Sequence, residues 1–246
     1  MSKWANLRLI ESFGIGVAVP PWILIPEGEP CDVAALTGLD GDLFAVRSSA
    51  NCEDGALNSF AGIFESRLCV PRSEVTDAVT AVRASAHTER CKVYLDQVGL
   101  SSTQISMDVI VQRMLSARIA GVAFSRHPLR PDSGTLIEVV HGLGETLVGG
   151  QSHGDQIELD AKGNTLTYQV AHQSHRLVAG PVRPVREPVP LLEQSAMKMT
   201  AGEIAEIDAL VRALRTRMGC EIDVEFAYAK NDLYLLQARP LTGSTS

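Results

Sequence analysis

The C-terminal segment EIDVEFAYAKNDLYLLQARP, residues 221–240, constrains the fold of this chain more than any other stretch. Two runs in which residue types alternate flank the turn-forming residues at 230–232, which predicts a β-hairpin with a three-residue loop. A loop of that length places four polar side chains on one face in two opposed pairs: Glu225 with Gln237, and Asp223 with Arg239. The other face would then pack into the core, and it consists of Val224, Phe226, Leu236 and Ala238.

The polar face of this hairpin suits a small, hard cation. Directly opposed residues of an antiparallel pair have Cβ atoms about 4.5–5.5 Å apart. Two oxygen ligands at that separation, from Glu225 and Gln237, can bind Mg²⁺. The same residues also suit a simpler interpretation, an amphipathic hairpin with a salt bridge on its solvent face. The metal site depends on the register, because a loop one residue shorter or longer would separate the pairs.

Helical and strand patterns alternate along the rest of the chain. The strongest helical pattern follows Thr200, which has capping-box spacing to Glu203, and continues to Gly219. Two further helices are predicted at 3–13 and 73–99, with strands within 17–26, 43–46, 63–70, 105–114, 119–125, 135–140 and, as a pair, 156–172. The proline-rich stretch at 180–192 has no periodicity, which predicts a linker or an extended crossing segment. This order of elements favours an α+β fold with helices on one side of its sheets.

Length and composition narrow the class of protein. The 246 residues, 45% of them apolar, allow one large domain or two modest ones with a real core. A formal charge of −7 argues against a nucleic-acid partner. The five cysteines never form a C-x-x-C pair, which favours buried thiols in a reducing cytoplasm over disulfides or a zinc site. No apolar run approaches the ~20 residues of a membrane span, and the N-terminus lacks the apolar core of a signal peptide. We therefore expect a cytoplasmic protein with no membrane partner.

A second polar stretch, FAVRSSANCEDGALNSFAG at 44–62, follows a predicted strand. Arg47 stands where this strand meets a loop of small, polar and acidic residues. A strand normally ends at a turn residue in solvent, so a run of hydrogen-bond donors after Arg47 favours an anion site. A solvated arginine on a turn is the alternative interpretation.

Seven sequence blocks, in order, resemble the nucleotide-binding domain of phosphoenolpyruvate synthase, pyruvate phosphate dikinase and rifampin phosphotransferase. They are KWANL at 3–7, VPPW at 19–22, AVRSSANCEDGALNSFAG at 45–62, VIVQRM at 109–114, GVAFSRHP at 121–128, IEVVHGLGETLVGG at 137–150, and DVEF with LYLLQARPLT within 223–242. The resemblance implies an α+β ATP-grasp fold with two lobes closing on ATP, which we place at 1–100 and 101–246. The stretch between Val19 and Val46 is short for the family, so the first lobe is expected to be shortened.

The resemblance also implies roles for seven residues. Arg47 and Arg239 would be catalytic, because a planar guanidinium binds the oxygens of the transferred phosphates in bidentate fashion. Lys3 would add a point charge on the polyphosphate. Glu225 and Gln237 would bind Mg²⁺. Gln112 would contact the adenine, and Glu138 would contact the ribose or the metal.

In the family, the last block leads to a swivelling domain with a phosphorylated histidine, and no part of this sequence resembles that domain. The resemblance thus implies an ATP-dependent phosphotransferase subunit that passes a phosphoryl group from Mg-ATP to an acceptor on a separate protein or a small molecule. Two alternatives stay open: a free-standing small-molecule kinase acting directly in its cleft, and a non-catalytic ATP-binding module. The complete set of proposed metal and phosphate ligands disfavours the module. We expect no stable phosphohistidine on this chain, and His127 is the closest rival to that expectation.

Overall fold

The computed structural model describes residues 2–31, 33–52, 63–97, 105–127, 130, 133–150 and 152–241. The chain divides into two compact units. The first unit consists of Met1–Leu7, Pro20–Leu115 and Ala179–Pro184, and the second of Arg8–Val19, Ser116–Val178 and Val185–Ser246. This division differs from a lobe boundary at residue 100, because the strand at Met107–Arg113 pairs inside the sheet of the first unit. Helix α1 (Lys3–Ser12) contributes residues to both units.

The first unit is built on a four-stranded antiparallel sheet. Its strands are β1 (Trp22–Ile25), β2 (Leu43–Ala50), β3 (Ser66–Pro71) and β4 (Met107–Arg113), in the spatial order β1-β4-β2-β3. Helix α2 (Val75–Ala84) packs on one face through buried residues at helical spacing, and the apolar cluster that it joins includes Phe44, Val46, Val109 and Val111. Because side chains alternate between the two faces of a strand, Arg47 and Gln112 lie on the other face.

The region predicted as one helix at 73–99 contains two. Helix α2 ends at Ala84, a 3₁₀ turn covers Ser85–His87, and Thr88 is extended with ψ at 154°. Helix α3 (Glu89–Gln97) begins after Thr88, whose Oγ1 accepts a hydrogen bond from the Cys91 amide at 3.3 Å. A serine or threonine in this position caps a new helix N-terminus. The break allows α3 to bury Cys91 and Leu95 in a separate apolar cluster. Another 3₁₀ turn covers Val33–Leu36.

The second unit is built on a six-stranded antiparallel sheet. The elements of this unit, in chain order, are β5 (Ile119–Phe124), β6 (Leu136–His141), α4 (Glu145–Val148), β7 (Asp155–Leu159), β8 (Thr165–Gln169), β9 (His175–Val178), β10 (Val185–Pro188), α5 (Ala201–Met218), β11 (Ile222–Ala229) and β12 (Asp232–Pro240). The spatial order of the six strands in the sheet is β12-β11-β5-β6-β7-β8. The strands predicted at 119–125, 135–140 and 156–172 are thereby confirmed. Gly142, with φ at +79°, lies close to the carbonyl oxygen of Leu177, so a side chain at this position would clash with β9.

Helix α5 has the termini predicted from its sequence. Thr200 and Glu203 form the complete capping box, and Gly219 ends the helix in the left-handed conformation with φ at +69°. The apolar residues at helical spacing, Ile204, Ile207, Val211 and Leu214, lie in the same cluster as the core-facing residues of β5, β6, β7, β11 and β12. Helix α5 therefore covers one face of the six-stranded sheet, and the polar residues of the strands are left to the other.

The proline-rich stretch at 180–192 is not wholly a linker, since strand β10 forms inside it. Strands β9 and β10 pair as a two-stranded antiparallel sheet, with Val185 opposite Val178. Arg176 on β9 also donates from Nε to a carboxylate oxygen of Glu187 at 2.8 Å. The prolines lie before β10, at its last residue and after it, positions that leave the amides of residues 185–187 available for pairing.

The helices of the described residues include none with both the length and the apolar content that crossing a bilayer requires.

Candidate active site

The two polar pairs predicted for the C-terminal hairpin are present. In the β11–β12 ladder, Asp223 lies opposite Arg239, and Glu225 lies opposite Gln237. Three of the four residues predicted for the core face are fully buried: Val224, Phe226 and Ala238. The sequence pattern therefore predicted correctly which face is polar and which pairs are opposed.

The hairpin reaches this register in a different way from the one predicted. Its loop consists of residues 230–231 alone, because the flanking residues already pair. A two-residue loop by itself would bring Glu225 opposite Leu236. Instead, Leu236 is the extra residue of a β-bulge in β12, which shifts the register by one and gives Glu225 its predicted partner. The prediction that Leu236 faces the core is wrong for the same reason: Leu235 is fully buried, whereas Leu236 is half-buried.

Asp223 holds the guanidinium group of Arg239. The Nε atom of Arg239 donates to both carboxylate oxygens of Asp223, at 3.0 and 2.9 Å. The two side chains are 23% and 15% exposed, so the pair is largely shielded from water. Because arginine keeps its proton at any physiological pH, this face of the hairpin carries a cation whose orientation is fixed by its neighbour.

The polar face continues across the sheet from the hairpin to β7. Directly paired residues on neighbouring strands project to the same face, and the ladder gives one continuous row: Gln237, Glu225, Val122, Glu138 and Gln156. Two strand spacings separate Glu138 from Glu225, which corresponds to about 10 Å between Cα atoms. Glu138 also accepts a hydrogen bond from Nε2 of Gln156 to its Oε1 at 2.9 Å. The sequence reasoning missed Gln156, because no sequence signal specified the register of β6 against β7.

Glu225 and Gln237 form a small donor set for a metal ion. The described part of the chain contains no group of three or more His, Cys, Asp or Glu residues arranged to hold one. Mg²⁺ is commonly bound in nucleotide sites through one or two carboxylates, with water and substrate phosphates completing its coordination. One carboxylate and one amide oxygen directly opposed on a ladder fit that pattern. Two protein ligands are too few to enclose a metal ion. They suit a metal ion whose remaining ligands come from water and a polyphosphate.

The first unit brings together three other predicted residues. Arg47 pairs with Ile110 in the β2–β4 ladder, and Ala45, two residues earlier, pairs with Gln112. Arg47 and Gln112 are therefore diagonal neighbours on one face, about 7–8 Å apart. Gln112 is buried, and its Nε2 donates to the carbonyl oxygen of Pro20 at 3.3 Å.

The side chain of Lys3, the first residue of α1, reaches the strand that carries Arg47. Its Nζ donates to the carbonyl oxygen and to the Oγ of Ser48, at 3.1 and 3.2 Å. Ser48 directly follows Arg47 on β2, so the ammonium of Lys3 contacts the residue next to Arg47. The predicted loop begins later than expected, because β2 continues through Arg47 to Ala50. Residues 53–62 of the predicted loop lie outside the described residues.

Two titratable groups follow Glu138 along the chain, at the end of β6 and in α4. Burial lowers the pKa of His141, and the positive charge of Lys198 lowers it further. Burial also raises the pKa of Glu145 above its usual value. The lowered pKa favours the neutral form of His141 at pH 7.

The two units and their sheets define an ATP-grasp fold of the α+β class. Among solved structures, the chain is similar to N5-carboxyaminoimidazole ribonucleotide synthetase in its ADP complex, with a TM-score of 0.51 and 11% sequence identity. The matched region covers 99% of this chain and 45% of that one. At this level of identity the likeness shows the fold alone.

Residues 31–246 match the family described as pyruvate phosphate dikinase, AMP/ATP-binding domain, and the chain belongs to this family. It is 36% identical over 207 residues to the prodigiosin synthesizing transferase PigC of Serratia marcescens, a match that covers 82% of this chain and 23% of PigC. A probable phosphoenolpyruvate synthase of Methanothermobacter thermautotrophicus is 32% identical over 207 residues, with 83% and 30% covered. A rifampicin phosphotransferase of a Streptomyces species is 31% identical over 217 residues, with 85% and 25% covered. The chain spans less than a third of the length of these relatives, and the resemblance stated from its seven sequence blocks is confirmed.

Proposed function

We propose that this chain is the nucleotide-binding part of a magnesium-dependent phosphotransferase. It would pass a phosphoryl group from ATP to an acceptor on a separate protein or to a small molecule. The observation that carries the proposal is the register of the hairpin, which opposes Glu225 to Gln237 and Asp223 to Arg239 on one polar face. Membership of an AMP/ATP-binding family supplies the identity of the nucleotide.

The residues of the second unit would act on the phosphates and the metal. Glu225 and Gln237 would hold Mg²⁺, which would supply positive charge to offset the charge of the transferred phosphoryl group. Arg239 would bind phosphate oxygens with its planar guanidinium, and Asp223 would keep that plane in place. Glu138, in the same row, would face the ribose hydroxyls or the metal.

The residues of the first unit would bind the phosphates as well, and the adenine. Arg47 would neutralise phosphate charge through bidentate contacts, and Lys3 would add a compact positive charge on the polyphosphate. Gln112 would border the adenine. Its Nε2 is bonded to the carbonyl oxygen of Pro20, so its Oε1 would serve as the acceptor for the base.

The names of the relatives support a shared ATP-dependent step with different acceptors. They point to a prodigiosin-synthesizing transferase, a phosphoenolpyruvate synthase and a rifampicin phosphotransferase. A common nucleotide-binding domain would supply the phosphoryl group, while the acceptor would differ among them. The five cysteines are far apart in the sequence and never form a C-x-x-C pair, which supports a reducing, cytoplasmic location.

Incubation of the purified chain with Mg-ATP, followed by separation of AMP, ADP and phosphate, tests this function. We expect ATP to be consumed when an acceptor is present and Mg²⁺ is added, with AMP or ADP as the nucleotide product. The Arg47→Ala variant should consume ATP more slowly, because it removes one proposed phosphate contact while the hairpin face stays intact. Consumption of ATP that needs no Mg²⁺, or that Arg47→Ala leaves unchanged, would contradict the proposal.

A further inference from the structure

The first turn of α1 is fastened to the sheet of the first unit by side-chain hydrogen bonds. The indole Nε1 of Trp4 donates to Oδ2 of Asp108 on β4 at 2.9 Å. The backbone amide of Trp4 donates to Oγ of Ser49 on β2 at 3.0 Å. The first amides of a helix have no partner inside the helix, so Ser49 satisfies one of them from a neighbouring strand.

Asp108 connects this turn to a third segment. Its Oδ1 accepts a hydrogen bond from the backbone amide of Glu27 at 3.0 Å, while its Oδ2 accepts from Trp4. One carboxylate therefore links the start of α1, the start of β4 and the turn that follows β1. Both of its carboxylate oxygens accept hydrogen bonds from N–H groups of the neighbouring segments, so Asp108 orients the backbone around Lys3.

Lys3 immediately precedes Trp4, whose position these hydrogen bonds fix. Its side chain crosses to Ser48, next to Arg47, and the contacts of its ammonium there are 3.1 and 3.2 Å long. A lysine side chain has four rotatable bonds, so its ammonium stays in one place only if its backbone is held. The bonds made by Trp4 hold that backbone against β2 and β4.

We propose that Trp4 and Asp108 are positioning residues that hold Lys3 for the polyphosphate of the nucleotide. This inference rests on the proposed function, which gives Lys3 its contact with phosphate. Trp4 and Asp108 act through Lys3 and make no contact with the nucleotide themselves. Their loss should weaken the binding of ATP and leave the binding of AMP, which lacks the outer phosphates, nearly unchanged.

A double-mutant cycle on Lys3→Ala and Asp108→Asn tests this by calorimetry with Mg-ATP and with AMP. Lys3→Ala should weaken Mg-ATP binding by about 10-fold or more, as expected for a charged hydrogen bond, and Asp108→Asn by about 3- to 10-fold. The double variant should bind Mg-ATP no more weakly than Lys3→Ala, because the two residues act as one unit. Fully additive losses, or an Asp108→Asn loss that is equal for Mg-ATP and AMP, would overturn the inference.

The cycle also separates this inference from the proposed function. If Lys3→Ala binds Mg-ATP as wild type does, the proposed role of Lys3 is wrong, and the positioning role is wrong with it. If Lys3→Ala weakens binding and Asp108→Asn does not, the positioning role alone is wrong.

A second pair of variants tests the positioning role independently if Asp108→Asn fails to fold. Trp4→Phe retains an aromatic ring and removes the indole N–H that Asp108 accepts, so it should reproduce the Asp108→Asn loss for Mg-ATP. Ser12→Ala is the matched control at the other end of α1, where Ser12 donates to the carbonyl oxygen of Leu9 at 2.6 Å. It should bind both nucleotides as wild type does. A folded Trp4→Phe protein with wild-type affinity for Mg-ATP would refute the positioning role.

Discussion

The substitution Ala238→Asp tests the assignment of the two faces of the hairpin. Ala238 is fully buried opposite Val224, in an apolar cluster that also contains Phe226 and Leu235. A carboxyl group in that cluster would fold in its protonated form, since burial disfavours the charged form. Protonating an aspartate of unfolded pKa near 3.9 costs about 4 kcal/mol at pH 7, at 1.36 kcal/mol per pH unit. Burying the neutral group adds about 1–3 kcal/mol, so the variant loses much of the 5–15 kcal/mol typical of a folded protein.

The sign of the pH dependence follows from the raised pKa of the new carboxyl. A group whose folded pKa exceeds its unfolded pKa stabilises the protein fully below the unfolded value, and this contribution is lost as the pH rises. The deficit of Ala238→Asp relative to wild type should therefore shrink by about 3 kcal/mol between pH 7 and pH 5. Urea denaturation followed by far-ultraviolet circular dichroism measures it. Tryptophan fluorescence is not suitable, because Trp4 and Trp22 both belong to the first unit, whereas Ala238 belongs to the second.

Two controls complete this test. Ala238→Asn adds a polar group of similar shape that cannot ionise, so its deficit should be the same at pH 5 and pH 7. Gln237→Ala alters the next residue, on the polar face, and should change the free energy of unfolding by about 1 kcal/mol. A larger loss of stability in Gln237→Ala than in Ala238→Asp would show that the two faces are exchanged and that the register is shifted by one residue.

Three further predictions concern the metal, the histidines and the alkaline limit of stability. Gln237→Ala should raise the Mg²⁺ concentration needed for half-maximal turnover while metal-free nucleotide binding stays nearly unchanged; an unaltered Mg²⁺ titration would exclude Gln237 as a ligand. Incubation with ATP labelled at the β or γ phosphate should leave the denatured chain unlabelled, and acid-labile label abolished by His127→Asn would contradict this. Burial raises the pKa of Tyr168 to about 12. Its stabilising contribution should therefore be complete below about pH 10 and lost as the pH rises toward 12, so Tyr168→Phe should flatten the decline measured by denaturation there.

The sequence predicted those parts of the fold that depend on local pattern. The helix α5 carried its capping box and its terminal glycine in the sequence, and both are present. Likewise, alternation of residue type assigned the hairpin residues other than Leu236 to the correct face, because a strand has a side-chain period of two. Glu225 and Gln237 were placed opposite each other correctly although the loop length was wrong, because the bulge at Leu236 compensates for the shorter loop.

The features that the sequence did not reveal depend on contacts between distant segments. The break after α2 follows from the burial of Cys91 and Leu95 in a separate cluster, which the helical pattern across 73–99 did not show. The pairing of β4 with β1 and β2 likewise sets where the first unit ends, and local pattern carries no strand order. Two hydrogen bonds join residues that become neighbours only in the folded chain: the bond from Gln156 to Glu138 and the bond from Trp4 to Asp108.

The most direct test of the central claim is calorimetric titration of the chain with ATP, in the presence and absence of Mg²⁺. The variants Arg239→Ala and Glu225→Gln remove one proposed phosphate contact and one proposed metal ligand. Wild type should bind Mg-ATP, and both variants should bind it at least about 10-fold more weakly, as expected for the loss of a charged contact. For Glu225→Gln the deficit should vanish when Mg²⁺ is omitted. Wild-type affinity for Mg-ATP in both variants would show that the polar face of the hairpin is not the site at which the nucleotide and its metal bind.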